Sequence, residues 1–179
     1  MKTFKTMWLA GAMLLSASTL SAYADDVTIG LATAQTGGLA FADQPSLAGF
    51  KMAIDEINAK GGFGGKYKAT LDIKDTRTDT AATVQAAQEL VAAGVKVLIT
   101  PCDADPSIAA GQISQPAMIP TFTFCGTTPT ITGAVGDYMF GTYPADNGQA
   151  ALLANHAIGK GYKTVFILKS PDSAYTLRL

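Results

Sequence analysis

The strongest constraint on the fold is a regular alternation between short β-branched segments and longer amphipathic ones. Val27–Leu31 is typical of a strand, and Leu47, Phe50 and Ile54 then recur at helical spacing. A glycine cluster between Gly61 and Gly65 ends that helix. The later segments predict a strand over 69–74, a helix over 80–93, a strand over 95–100, a helix over 106–115, and strands over 121–124 and 138–142.

This alternation predicts how the strands are arranged. Strands joined by helices through short connections run parallel with right-handed crossovers, so we expect an open, doubly wound α/β sheet. In such sheets, ligands bind outside the carboxyl ends of the strands, where the strand order reverses. The strand-to-helix loops over 33–44, 101–105 and 125–128 should therefore carry the binding chemistry.

The pattern restarts at Asp146. Ala150, Leu153 and Ala157 form a new helical face, and 164–168 is a new β-branched and aromatic segment. One helix and one strand cannot cover both faces of a sheet. We therefore expect a first lobe that is complete and a second lobe that is only begun when the sequence stops at Leu179.

The first residues have the pattern of an export signal. Lys2 and Lys5 precede an apolar stretch over 7–20, which is followed by small residues at the positions read by a signal peptidase and predicts cleavage after Ala24. The alternative, a membrane anchor, is disfavoured because hydroxyl residues interrupt the stretch and it is short for a membrane span. No cysteine lies near the cleavage position, so we expect a periplasmic protein without a lipid anchor.

Charge and composition exclude several functions. The formal net charge is −1 and no basic cluster is present, which argues against nucleic acid as a partner. With a single histidine, His156, and two cysteines, a His/Cys metal site of ordinary composition cannot be built, and we expect neither metal nor cofactor. The glycine-rich stretch ending at Lys66 follows a helix and lacks the Ser/Thr of a phosphate loop, so no enzymatic motif stands out.

The two cysteines are predicted to pair. Cys102 and Cys125 close the third and fourth predicted strands, and neighbouring strands lie within the reach of a disulfide. An oxidising compartment favours a bridge between them. The alternative is a reactive thiol, although no basic residue lies nearby in sequence to lower its pKa.

Three predicted helix starts share a capping residue followed by proline. Such a pair is typical of the first turn of a helix, whose free N–H groups and positive dipole end favour an anionic ligand group. The pairs are Gln44-Pro45, Asp105-Pro106 and Thr128-Pro129. Together they favour a cleft that holds a carboxylate, although any one of them alone is explained as an ordinary helix cap.

The same loops contain further candidate ligand contacts. Thr36, Thr127 and Thr128 supply hydroxyl groups, and Gly126 permits close approach of the backbone. The carboxylate of Asp103 would favour a cationic or hydrogen-bond-donating ligand group. A solvated carboxylate at the rim is the alternative interpretation of Asp103.

These residues resemble the type I periplasmic binding proteins, in the leucine/isoleucine/valine-binding branch of ABC importers. The resemblance spans nearly all of the chain after the signal peptide. Its most specific elements are Thr36-Gly37, Gly49 with Ala53, Glu56-Ile57-Asn58 with Gly61-Gly62, Asp75 with Asp79, Thr127-Thr128-Pro129 and Phe140-Gly141-Thr142.

The resemblance implies two lobes that close over a small solute. It places Asp103, Ala104, Gly126 and Thr127 at ligand-facing positions. An aromatic that covers the ligand in some members would fall near Ala42, and Phe41 is expected to take its place. Tyr143, just past the hinge, would also reach the cleft. Leucine-binding members carry a hydroxyl residue at the position of Asp103, so its carboxylate favours a ligand other than a simple branched-chain amino acid. The implied organisation is a signal peptide over 1–24, lobe 1 over 25–142, and the hinge with the start of a truncated lobe 2 over 143–179.

The function expected from the sequence is solute capture without catalysis. The implied partners are a small-molecule ligand and the permease and ATPase of an ABC importer, and a monomer is expected. One alternative is a ligand-sensing receptor or regulator, since the same fold serves both roles. A less favoured alternative is an α/β enzyme that uses Asp103 or a free Cys102.

Overall fold

The computed structural model describes residues 26–169. The predicted signal peptide, with its cleavage position after Ala24, lies outside this range. The strands are β1 (Val27–Thr33), β2 (Ala69–Asp75), β3 (Val97–Thr100), β4 (Thr121–Thr123) and β5 (Met139–Phe140). The helices are α1 (Ala40–Ala59), α2 (Thr80–Ala92), α3 (Ala104–Ser114), α4 (Thr130–Val135) and α5 (Asp146–Gly159), with a short 3-10 helix over Gln115–Ala117.

The strands form one parallel five-stranded sheet in the order β2-β1-β3-β4-β5. The chain runs from β1 to β2 on one side and then crosses back to β3 on the other side of β1. The strand order therefore reverses between β1 and β3, which is the topological switch point of a doubly wound sheet. The predicted fold class is confirmed.

Helices cover both faces of the sheet. On one face, Leu47 and Ile54 of α1 pack against Ile29, Leu31 and Ile99 of the central strands. The other face carries a second cluster, which includes Ala32, Ala86, Ala87, Leu90, Val95, Leu98 and Ala110. The close fit of α2 on β1 depends on Gly30, because a Cβ there would lie 3.2 Å from the Cβ of Leu90.

The predicted start of the first helix is wrong. α1 begins at Ala40, and Pro45 lies inside it rather than at its first position. Pro45 cannot donate to the carbonyl of Phe41, but that carbonyl is only one turn from the helix start. The hydroxyl of Ser46 also donates to the carbonyl of Ala42 at 3.1 Å. A proline this close to the start therefore removes a single backbone bond and does not end the helix.

The predicted caps of α3 and α4 are also misplaced. Asp103, not Asp105, caps α3, since its carboxylate accepts from the N–H of Ala104 at 2.8 Å. Pro106 occupies the third helical position, where a backbone N–H would have no partner within the helix in any case. At α4, Pro129 stands just before the first helical residue and no side chain caps the helix.

The segment after α5 differs from the prediction. No strand forms over 164–168 among the described residues, because no neighbouring strand there supplies backbone hydrogen bonds. Val165, Phe166, Ile167 and Leu168 are 74–91% exposed. α5 itself leaves Leu152, Leu153 and Ile158 largely exposed.

None of the helices within 26–169 combines the length and the apolar character that crossing a membrane requires.

Candidate ligand-binding site

The candidate site lies at the switch point, where β1 and β3 end side by side. The loop after β1 spans 34–39 and the loop after β3 spans 101–103. The loop after β4, over 124–129, follows at the same edge because β4 pairs with β3 in parallel. These are the three loops in which the sequence predicts the binding chemistry, and the parallel sheet brings them together.

A buried carboxylate joins the first two loops. Asp43, in the first turn of α1, is 1% exposed. One of its oxygens accepts from the N–H of Ala34 at 2.6 Å and the other from the N–H of Cys102 at 2.9 Å. Burial raises the pKa of Asp43 above its ordinary value; the two hydrogen bonds oppose the rise, and the negative charge of Asp103 adds to it.

A disulfide joins the second loop to the third. Cys102 and Cys125 are bonded, with Cα atoms 4.6 Å apart, as the sequence predicts. Beside the bridge, the carbonyl of Pro101 accepts from the hydroxyls of Ser107 and Thr123 at 2.8 and 2.9 Å. The hydroxyl of Thr123 in turn accepts from the N–H of Gly126 at 2.9 Å. The two loops are therefore connected by covalent and hydrogen bonds.

A second carboxylate orders the loop after β1 from its other side. Asp75, the last residue of β2, accepts from the N–H groups of Gln35 and Thr36 at 2.9 and 3.1 Å and from the hydroxyl of Thr36 at 2.7 Å. Burial acts to raise the pKa of Asp75. The hydroxyl of Thr36 and the N–H groups of Arg77, Thr36 and Gln35 outweigh that effect, and the pKa lies below its ordinary value.

Two predicted contact residues have structural partners already. The hydroxyl of Thr36 is engaged by Asp75, so in this conformation Thr36 fixes its own loop. Asp103 is half-buried and uses one carboxylate oxygen as the cap of α3. Its remaining oxygen leaves Asp103 able to contact a ligand as well.

In the third loop the predicted residues are packed to different degrees. Gly126 is buried, and a Cβ there would lie 2.5 Å from the Cδ1 of Ile131. The carbonyl of Thr127 accepts from the N–H of Asp146 at 3.0 Å. Thr128 is 7% exposed and its hydroxyl contacts that of Thr130 at 3.3 Å. Thr127 is half-buried and is the most accessible of the three predicted residues.

The predicted aromatic contacts are at the surface. Phe41, in the first turn of α1, is 75% exposed, and Tyr143, after β5, is 57% exposed. Ala104, half-buried, is the first residue of α3. Exposed aromatic side chains of this size are available to contact a ligand.

No sequence pattern indicated that Asp43 is a site residue. It falls in a segment predicted as a loop, and an aspartate there is ordinarily exposed. Its partners, Ala34 and Cys102, are far apart in sequence and meet only because β1 and β3 are neighbours. Its position one turn into α1 was hidden by the misplaced helix start.

Buried polar atoms elsewhere in the described chain include both carboxylate oxygens of Asp146, which have no hydrogen-bond partner. Asp146 is the first residue of α5, where the positive end of the helix dipole favours an acid. Within the described range, no cluster of three or more His, Cys, Asp or Glu side chains is arranged to hold a metal ion.

Comparison with known proteins is consistent with this geometry. The periplasmic binding protein family matches residues 26–178. A Leu/Ile/Val-binding protein homolog of Brucella abortus is 33% identical over 145 residues, covering 79% of this chain and 36% of that protein. Such relatives bear the names of solute-binding proteins and not of enzymes.

Solved structures show the same fold. The branched-chain amino acid transporter substrate binding protein of Streptococcus pneumoniae, in complex with isoleucine, superposes with a TM-score of 0.68 at 27% identity, covering 75% of this chain and 38% of that one. An ABC transporter substrate-binding protein from Desulfitobacterium hafniense gives a TM-score of 0.72 at 26% identity, with coverages of 83% and 43%.

The chain thus covers roughly two fifths of the length of each of these three proteins, between 36% and 43%. The family match covers most of the chain, and the parallel sheet with its switch-point loops is the architecture of the matched structures. This chain belongs to the periplasmic binding protein family.

Proposed function

We propose that the chain is the first lobe of a substrate-binding protein of an ABC importer. In this proposal it captures a small polar solute, an amino acid or a related compound, and delivers it to a membrane permease. The observation that carries the proposal is the meeting of three loops at the switch point of the sheet, in a chain of this family. Their side chains offer hydroxyl, carboxylate and aromatic groups, which suit recognition of a small polar molecule.

The segment after the hinge supports a two-lobed protein. α5 exposes Leu152, Leu153 and Ile158, and an apolar helix face of this kind is normally covered by a neighbouring element. The greater length of the relatives provides for such an element. We therefore infer that 25–142 forms lobe 1 and that 143–179 leads into lobe 2. Export to the periplasm through the predicted signal peptide is part of the same proposal.

Ligand screening tests the function directly. The full-length protein would be purified and its melting temperature measured with amino acids, amides, polyamines and aromatic acids. One of these classes of compound should raise the melting temperature, because a ligand at 100 times its Kd stabilises the folded state by about 2.7 kcal/mol. In a domain of about 150–250 residues that corresponds to roughly 5–10 °C. Absence of a shift with every class would contradict the proposal.

A pair of variants tests the location of the site. Phe41→Ala removes an exposed aromatic at the switch-point end of α1. Met52→Ala removes a side chain of similar exposure, 64%, further along the same helix. Isothermal titration of the ligand found in the screen should show weaker binding for Phe41→Ala and unchanged binding for Met52→Ala. Equal effects of the two variants would place the site elsewhere.

A further inference from the structure

We propose that Asp43 is a positioning residue for the ligand: together with the Cys102–Cys125 disulfide it fixes the three switch-point loops in the arrangement that binds solute. We call the set of Ala34, Asp43, Cys102 and Cys125 the switch-point clamp. The inference rests on the proposed function, since it concerns how that binding site is held. Asp43 itself is 1% exposed and is not expected to touch the ligand.

The geometry of Asp43 requires a carboxylate. Each oxygen accepts one backbone N–H, from Ala34 in the loop after β1 and from Cys102 in the loop after β3. An asparagine of the same shape has a single accepting oxygen, and its amide would direct a donor at the other N–H. One of the two loops would then lose its attachment, and a buried N–H would be left without a partner.

Cys102 extends this connection to the third loop. Its N–H is bound to Asp43 while its sulfur is bonded to Cys125 in the loop after β4. Through Asp43 and Cys102, the ends of β1, β3 and β4 are tied to the start of α1. A displacement of α1 relative to the sheet would thus be transmitted to all three loops.

Each attachment point directly precedes predicted ligand contacts. Ala34 is followed closely by Thr36, Cys102 by Asp103, and Cys125 by Gly126 and Thr127. A contact residue one or two positions from a fixed backbone atom has little freedom to move. Preorganisation of this kind increases affinity because less conformational entropy is lost on binding.

Stability alone does not account for a carboxylate at this place. Burial raises the pKa of Asp43 despite its two hydrogen bonds, and the neighbouring charge of Asp103 adds to the rise. The ionised form is therefore less favourable inside the protein than in water. The carboxylate nevertheless joins two binding loops, and the geometry that it imposes on them explains its presence.

The test compares Asp43→Asn with a control from the opposite edge of the sheet. Ser114 is fully buried, and its hydroxyl lies 2.6 Å from that of Thr121 at the amino end of β4. Ser114→Ala removes a buried hydrogen bond without touching the switch-point loops. In the protein used for ligand screening, we expect Asp43→Asn to weaken binding at least tenfold and Ser114→Ala to leave the Kd within twofold, with both lowering the melting temperature.

A spectroscopic measurement reports on the clamp without any variant. Labelling with 15N-cysteine gives two backbone signals from this chain, one each for Cys102 and Cys125. An amide proton donated to a carboxylate resonates downfield, so the Cys102 signal should lie downfield at neutral pH and move upfield when acid protonates Asp43. In Asp43→Asn, the Cys102 amide signal should not lie downfield at neutral pH.

Several outcomes would overturn the inference. Asp43→Asn binding ligand within twofold of the wild type would do so, as would an equal loss of affinity in Ser114→Ala. If Asp43→Asn fails to fold, the inference would be overturned by a wild-type Cys102 amide signal whose chemical shift does not change on acidification. If the wild type binds no ligand, the proposed function and this inference are refuted together. If Asp43→Asn binds ligand as tightly as the wild type, the inference alone is refuted.

Discussion

Breaking the Cys102–Cys125 disulfide should lower the stability of the folded protein by a predictable amount. The bridge joins residues separated by 23 positions in sequence. In the chain-entropy model, closing a loop of this size restricts the unfolded chain by about 3.4 kcal/mol at 25 °C. We therefore expect the double variant Cys102→Ala/Cys125→Ala to lose about that free energy of unfolding, or roughly 7–14 °C in melting temperature.

Urea denaturation followed by circular dichroism measures this loss. The wild type under reducing conditions is the matched control, because it lacks the bridge but keeps both sulfur atoms. The two forms should unfold at similar urea concentrations. Their m-values should exceed that of the oxidised protein, since an unfolded chain without a cross-link is less compact and exposes more surface.

Two results would refute this reasoning. A loss below about 1 kcal/mol would mean that the bridge does not restrict the unfolded chain as the entropy model requires. A large loss with an unchanged m-value would mean that the bridge acts on the folded protein instead. In that case the loops at the switch point would depend on it directly.

Five further substitutions give distinct expected results. Gly126→Ala should cost about 1–3 kcal/mol in urea denaturation, because its Cβ would overlap packed neighbours at 2.5–2.7 Å; an unchanged midpoint would refute this packing. Asp103→Ala should cost about 1 kcal/mol through the lost cap of α3, whereas Asp105→Ala, which caps nothing, should cost less than about 0.5 kcal/mol. The pKa of Asp75 is lowered in the folded state, so its contribution to stability is present above the ordinary aspartate pKa and lost as pH falls through the folded value. In a pH series, the melting temperature of Asp75→Asn should therefore fall less in acid than that of the wild type. Asp146→Asn should raise the urea midpoint, corresponding to about 1 kcal/mol, because it removes a buried charge without a hydrogen-bond partner; a lower midpoint would show that the dipole of α5 outweighs that cost.

The sheet was predictable from hydrophobic periodicity because its strands are covered on both faces. Ile29 and Leu31 pack towards α1 while Ala32 packs towards α2, so the run over 29–32 is continuously apolar. Such continuous apolar runs, separated by helical periods, are the pattern of a parallel sheet. The predicted strands and helices are therefore found in the right order, apart from the segment over 164–168.

The helix starts were harder to predict because a proline is tolerated at several positions near the amino end of a helix. Pro45 is the sixth residue of α1 and Pro106 is the third residue of α3. Pro129 stands just before the first residue of α4. A local residue pair cannot distinguish these positions, since each leaves the later backbone hydrogen bonds intact. Because the predicted start of α1 lies after Asp43, the sequence pattern places Asp43 in a loop and not in the helix.

The disulfide and the contacts of Asp43 differ in how far they could be predicted from the sequence. Cys102 and Cys125 follow two consecutive strands, so adjacency in sequence was enough to predict their pairing. The contacts of Asp43 depend on β1 lying beside β3, with β2 placed on the other side. That arrangement follows from the complete strand order, which periodicity alone does not supply.

The exposed segment after α5 has a consequence for the behaviour of this chain at high concentration. Thr164–Leu168 contains five consecutive residues without charge, proline or glycine, and its side chains lie in water. Segments of this composition tend to pair with identical copies as intermolecular β-structure. Lys163 and Lys169 flank the run on both sides, and like charges at the ends of stacked copies repel one another. The two lysines thus act as gatekeepers against aggregation wherever this segment is left uncovered.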